Sequence, residues 1–186
     1  EVLQELKSYE EKLIIVRDEI RLTSHSLSHD KLEKVGLIET IEFEANRTAR
    51  DNKSLQVLIN INKAFIYNFT QEQSVYLFRI FQEIIGNVLT HSKASQLTIN
   101  INQNQNDIFS LVVADNGIGI SKMDLDKVFN SFYRSDSTNQ AKIKGTGLGL
   151  SIVKRLCDLL KIEVSVSSEL QVGTVFNLSF PLAKLK

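Results

Sequence analysis

Three stretches of this chain carry residues whose types and spacing could do chemistry. In Ala114-Asp115-Asn116-Gly117-Ile118-Gly119-Ile120, a carboxylate and two glycines close the apolar run Phe109 to Val113. Such a run ending in a glycine cluster reads as a buried strand entering a tight loop, which puts Asp115 at the strand's end. An ionised carboxylate only accepts hydrogen bonds and so suits an amino group such as the exocyclic amine of adenine. Gly117 and Gly119 let the backbone turn sharply and a flat ligand come close. Taken alone, an aspartate before Asn-Gly is more often turn chemistry.

The second stretch is Lys144-Gly145-Thr146-Gly147-Leu148-Gly149-Leu150, followed by the helical pattern Ser151 to Leu156. A glycine-rich turn opening a helix presents unspent N–H groups and a positive dipole end, both suited to phosphate. The glycine spacing approaches that of a dinucleotide fold, but the polar residues 134–144 stand where that fold needs a strand, which excludes it. In the third stretch, Phe81 to His91, Glu83, Asn87 and His91 recur every four residues and would form one polar stripe on a helix. The flanking Phe81, Ile84, Ile85, Val88 and Leu89 leave little surface for a merely solvated face, so the stripe reads as functional.

Together these stretches resemble the nucleotide-binding domain of sensor histidine kinases, whose fold is shared with gyrase B, the heat-shock chaperone ATPases and the mismatch-repair ATPases. The resemblance covers about residues 55–182, with Glu83 to Asn87 as the N box, Asp115 to Gly119 as G1, Phe129 to Phe132 as F, and Gly145 to Gly149 as G2. It implies that the chain binds ATP with Mg²⁺. Asn87 would hold the metal, Glu83 would act as base or orient the attacking group, and Asp115 would read adenine with support from Thr174. Gly145, Gly147, Leu148 and Gly149 would cradle the phosphates, and His91 would lie beside them. Residues 131–143, polar and set between the F and G2 boxes, resemble the lid over ATP. Two positions depart from the pattern. Thr90 stands where relatives usually carry a lysine, with Lys142, Lys144 or Arg134 as substitutes, and Gln171 replaces the first glycine of a Gly-x-Gly-Thr turn, a change of little expected consequence because Gly173 and Thr174 remain.

Composition agrees with a packed domain. The chain has 186 residues, 42% hydrophobic, and its 22 basic and 22 acidic residues give no electrostatic case for nucleic acid or an anionic membrane surface. The single Cys157 has no internal partner and reads as a buried thiol in a reducing compartment. No run reaches the roughly 18 apolar residues that span a bilayer. The expected setting is therefore cytoplasmic, in a full-length protein that could be anchored in a membrane. A start at Glu1 without an initiating Met reads as a piece of a longer protein.

Leu6, Leu13, Ile20 and Leu27 recur at seven, with Val2, Tyr9, Val16 and Thr23 at the second seam position. That pattern predicts a long helix packed against others, here a homodimeric bundle. Residues 20–37 resemble the second dimerisation helix of nitrate-responsive and desaturase-regulating kinases, so the phosphorylated histidine would lie before Glu1. The rival acceptor is His25 in Ser24-His25-Ser26-Leu27. Only about 25 residues separate it from the polar break at 50–53, too few at roughly 1.5 Å per residue to complete a helical hairpin. His25 and His29 are therefore read as structural or solvent-facing.

Beyond this helix, residues 37–49 predict a short linking helix, and Ser54 to Ile61 a first strand. Thr70 and Gln73 form a capping box for the N-box helix. Gln96 to Ile101 and Asp107 to Val113 predict strands joined by an Asn-rich turn, Ser121 caps a helix ending near Phe129, and Ile162 to Ser167 with Thr174 to Phe180 make a closing hairpin. The expected fold is α+β, a two-layer sandwich of mixed sheet and helices. Residues 1–50 would form the dimerisation helix and linker, and residues 51–186 the ATP-binding domain. The function implied is the kinase core of a two-component sensor, with a response regulator as partner. Its rivals are an ATPase or serine kinase of the same fold and a non-catalytic nucleotide-binding scaffold.

Overall fold

The computed structural model describes residues 32–64, 67–104, 107–135 and 146–181. The heptad helix, His25, His29, Gly145, Lys142, Lys144 and most of the expected lid lie outside the described residues. The elements run α1 (Leu37–Asp51), β1 (Gln56–Ile61), α2 (Gln71–Asn87), a π-turn (Val88–Ser92), β2 (Gln96–Gln103), β3 (Ile108–Asp115), α3 (Lys122–Leu125), α4 (Gly149–Leu160), β4 (Glu163–Glu169) and β5 (Gly173–Pro181).

The five strands form one mixed sheet in the order β1-β2-β3-β5-β4, parallel only between β1 and β2. Strand alternation sends Leu97, Ile99, Ile101, Phe109, Leu111, Val113, Phe176, Leu178 and Phe180 to one face, all buried. They share a single core with Ile41 of α1, Leu77, Phe81 and Ile84 of α2, and Val153 and Cys157 of α4. The opposite face is polar, and Asn60–Asn100 and Asn62–Asn102 pair there at 2.8 Å each. This is the expected two-layer α+β sandwich.

Local chemistry sets the boundaries. Thr70 and Gln73 make the reciprocal capping box of α2. Asn52 donates through its backbone and its side chain to Thr48 O, and Leu55 N–H closes a turn onto Asn52 O. Residues 53–54 are thereby held in a turn, and β1 begins at Gln56, two residues later than its pattern suggests. Ser121 does cap α3, but that helix stops at Leu125 rather than near Phe129. None of its residues is buried, so no apolar face carries it further.

Helix α2 holds a second departure from expectation. After Asn87 the backbone widens into the π-turn, where Ser92 Oγ donates to Val88 O at 2.8 Å and Lys93 ends the turn with φ 54°. The wider turn shifts the helical phase, so Leu89, expected in the core, is 44% exposed. Phe81, Ile84, Ile85 and Val88 are buried as expected.

Candidate functional site

Asp115 is the last residue of β3 and continues the inward row Phe109, Leu111 and Val113, but it lies at the mouth of the core. Its register partner on β5 is Thr174. Both side chains are buried, at 9% and 5% exposure. Gly117 N–H donates to Asp115 Oδ1 at 2.8 Å, and Oδ2 has no protein donor among the described residues. Burial raises the Asp115 carboxyl above its ordinary value of 3.8, opposed in part by that N–H. The carboxylate is thus a buried acceptor with one oxygen unspent.

The loop after β3 is fixed on both sides. A Cβ on Gly117 would clash with Ser92 O, and Ile118 N–H donates to that same carbonyl at 2.8 Å, which joins the loop to the end of the π-turn. On the other side, Gln171 N–H donates to Ile118 O at 2.9 Å, and a Cβ on Gly119 would meet Glu169 O. Gly173, where a Cβ would collide with Asp115 O, lets β5 close on β3 beside the carboxylate. Gln171 has φ 63°, a left-handed conformation that favours glycine. Its departure from the Gly-x-Gly-Thr pattern therefore strains the backbone while leaving the hydrogen bond to Ile118 in place.

Helices α2 and α4 also meet. A Cβ on Gly149 would lie 2.9 Å from Glu83 Oε2 and 3.7 Å from Asn87 Nδ2, so α4 starts close against these two side chains, and a larger residue would push the Glu83 carboxylate aside. Leu148 heads α4 without a side-chain cap, and the first-turn N–H groups have the supply of unspent donors that suits phosphate. The Leu148 side chain is buried, so what it offers the cleft is backbone. Phe132 N–H donates to Gly147 O at 2.9 Å, so the F box adjoins the described part of the G2 box.

His91 lies on the π-turn, half-buried. Burial and then the positive charge of Arg134 lower its pKa below the ordinary 6.5. Thr90, where the pattern expects a lysine, is exposed, and Arg134 lies near enough for its charge to act on His91. Asn87 Nδ2 is buried with no hydrogen-bond partner among the described residues, an open position in the amide next to Glu83. No cluster of three or more His, Cys, Asp or Glu able to hold a metal occurs among the described residues. A divalent cation here would rely on one or two protein ligands and on phosphate oxygens, the usual habit of Mg²⁺.

The structure thus joins Asp115, Gly117 and Thr174 to the π-turn that carries His91, through the contact of Gly117 and Ile118 with Ser92 O. It sets Gly149 against Glu83 and Asn87 on the helix that leads into that turn, with Gly147 and Leu148 just before Gly149 and Gly119 held against Glu169 O. It adds Arg79, overlooked in sequence, whose Nη2 lies 2.7 Å from Glu83 Oε1 with both side chains largely buried. An arginine four residues before a functional glutamate, inside an apolar helix, was the available signal. Ser92, whose carbonyl accepts from Ile118 N–H, and Ser168, whose Oγ accepts from Ile120 N–H at 2.7 Å, gave no such signal, because serines in a turn and near the end of a strand are common. No helix among the described residues is long and apolar enough to cross a membrane.

Known proteins are similar to this chain over much of its length. The Autoinducer 2 sensor kinase/phosphatase LuxQ of Vibrio vulnificus is 36% identical over 115 residues, which is 59% of this chain and 13% of that protein. The Signal transduction histidine-protein kinase ArlS of Staphylococcus epidermidis is 30% identical over 176 residues, 90% of this chain and 37% of that protein. The chain therefore spans well under half the length of these relatives. Among solved structures, full-length ShkA in complex with AMPPNP superposes with a TM-score of 0.64 at 22% identity, covering 94% of this chain and 38% of that one. The mycobacterial sensor histidine kinase MprB gives 0.59 at 21%, covering 77% and 93%. Residues 72–184, well over half the chain, match the family described as "Histidine kinase-, DNA gyrase B-, and HSP90-like ATPase", and the chain belongs to that family.

Proposed function

We propose that this chain is the ATP-binding kinase core of a two-component sensor histidine kinase. It transfers the γ-phosphoryl group of ATP to a histidine upstream of Glu1, for relay to a response regulator. The observation that carries this reading is a buried acceptor, Asp115, on a loop joined to the π-turn after α2, together with a helix start, Gly149, packed against Glu83 and Asn87 of α2. Asp115 Oδ2 accepts from the adenine amine, with Thr174 beside it. The N-terminal N–H groups of α4 hold phosphate oxygens, and Arg134 supplies the cation that Thr90 does not. Glu83 orients the attacking imidazole and takes up its proton. Asn87 binds Mg²⁺ through its amide oxygen, and the metal, when bound, neutralises charge on the triphosphate.

The heptad seam of Leu6, Leu13, Ile20 and Leu27 is the proposed homodimer contact, and the proposed setting is cytoplasmic. The narrower likeness to nitrate-responsive and desaturase-regulating sensors rests on residues 20–37, mostly outside the described residues. The test is incubation with radiolabelled ATP and Mg²⁺, once with this chain and once with the chain extended upstream through its first helix. The extended protein should gain acid-labile, base-stable label, while this chain binds nucleotide unlabelled. Label on this chain that vanishes in His25→Gln would refute the placement of the acceptor. An extended protein that binds ATP but never gains label would refute the kinase reading.

A further inference from the structure

We infer that Ser168 is a positioning residue that fixes the hydroxyl of Thr174 as an acceptor and so sets the preference for an adenine over a 6-oxopurine base. The inference deepens the nucleotide reading of the same site and rests on it. Asp115, Thr174 and Ser168 stand in one row across β3, β5 and β4, because Thr174 is the register partner of both others. A pleated sheet sends directly opposed residues to the same face, so all three point toward the helix layer.

Proton counting then fixes the directions. Ser168 Oγ lies 2.7 Å from Gly173 O, 3.0 Å from Thr174 Oγ1 and 2.7 Å from the Ile120 nitrogen. The Gly173 carbonyl has no hydrogen of its own, so the one between these oxygens is the Ser168 hydroxyl proton. With that proton spent on Gly173, the 3.0 Å contact with Thr174 is a hydrogen bond when Thr174 is its donor, and we take Thr174 as that donor. Ile120 N–H donates the third bond. With its only hydrogen committed, Thr174 offers the cleft lone pairs alone, beside Asp115, which also only accepts.

A row of two acceptors favours a base edge carrying an amine and opposes one carrying a carbonyl oxygen. Without Ser168 the Thr174 hydroxyl is free to rotate and donate, and a 6-oxo group then gains a partner. Ser168 also ties the G1 loop, through Ile120, to the strand carrying Thr174, so a purely structural role would weaken every nucleotide alike. The ratio of affinities separates the two roles.

The experiment is calorimetric titration of this chain, wild type, Ser168→Ala and Ser168→Thr, with ADP and with IDP, in parallel with thermal melts. The expected result is that Ser168→Ala lowers the ratio of ADP to IDP affinity by about fivefold or more, the weight of one neutral hydrogen bond, and that Ser168→Thr restores it. ADP and IDP weakened by the same factor, or an unchanged ratio in a folded Ser168→Ala protein, would overturn the role of Ser168 and leave the nucleotide site standing. Wild-type protein that binds neither nucleotide would refute the nucleotide reading, and this inference with it.

Discussion

Replacing Arg79 by Met, which keeps the bulk of the stem and removes the charge, isolates the ion pair inside α2. Arg79 Nη2 and Glu83 Oε1 are 2.7 Å apart, and the two side chains are only 8% and 13% exposed, so solvent screens the pair weakly. An exposed pair at this i, i+4 spacing contributes about 0.3–0.5 kcal/mol. Removing one member of a buried pair leaves the other charge desolvated and costs about 3–5 kcal/mol. Arg79→Met should therefore destabilise the domain by about 3 kcal/mol, lowering Tm by roughly 6–12 °C for a domain of this size. Glu83→Gln leaves the guanidinium in the same position and should cost a similar amount. In the double variant neither charge remains, so its loss should fall short of the sum of the single losses by at least about 2 kcal/mol. Urea unfolding followed by circular dichroism measures all four proteins. A loss under about 1 kcal/mol in Arg79→Met, or additive losses, would refute the claim that this pair is an internal brace for the site.

Gln171→Gly removes a side chain from a left-handed position and should stabilise the protein by about 1 kcal/mol, read as a Tm rise of a few degrees. Gly149→Val pushes a branched side chain at the carboxylate of Glu83, so nucleotide affinity should fall tenfold or more while the fold survives, checked by calorimetry beside circular dichroism. Because the folded-state pKa of Asp115 is raised, the folded protein holds this proton more tightly than the unfolded chain. The stability contributed by the group is therefore full below the unfolded value and lost as pH rises through the folded one. Nucleotide affinity runs the other way, since the ionised form accepts from adenine. ADP affinity, measured against Asp115→Ala to cancel phosphate titration, should fall with acidification at a pH above 3.8. An inflection at or below that value would contradict the burial argument.

Much of the site was legible in the residues because each box has a local cause. A carboxylate after an apolar strand and glycines where a strand turns or a helix begins are short-range patterns, and Asp115, Gly117, Gly147 and Gly149 fall where those patterns place them. The capping box of Thr70 and Gln73 is equally local. What the residues did not reveal depends on contacts between distant segments or on backbone choices without a residue signature. The π-turn after Asn87 changes the phase of His91 and Leu89, yet Val88 to Ser92 reads as ordinary helix. Ser168 meets Thr174 and Ile120 only once β4, β5 and the G1 loop are assembled. Helix α3 ends early, with none of its residues buried, a matter of tertiary packing.

The central claim is that Asp115 reads an adenine base at the end of β3, and calorimetry with ADP and Mg²⁺ on wild-type and Asp115→Ala protein tests it most directly. Removing the acceptor costs the adenine amine its partner, worth about 1–3 kcal/mol, so affinity should fall by roughly 5- to 150-fold in a protein that melts normally. Wild-type and Asp115→Ala proteins that bind ADP with equal affinity would contradict the account.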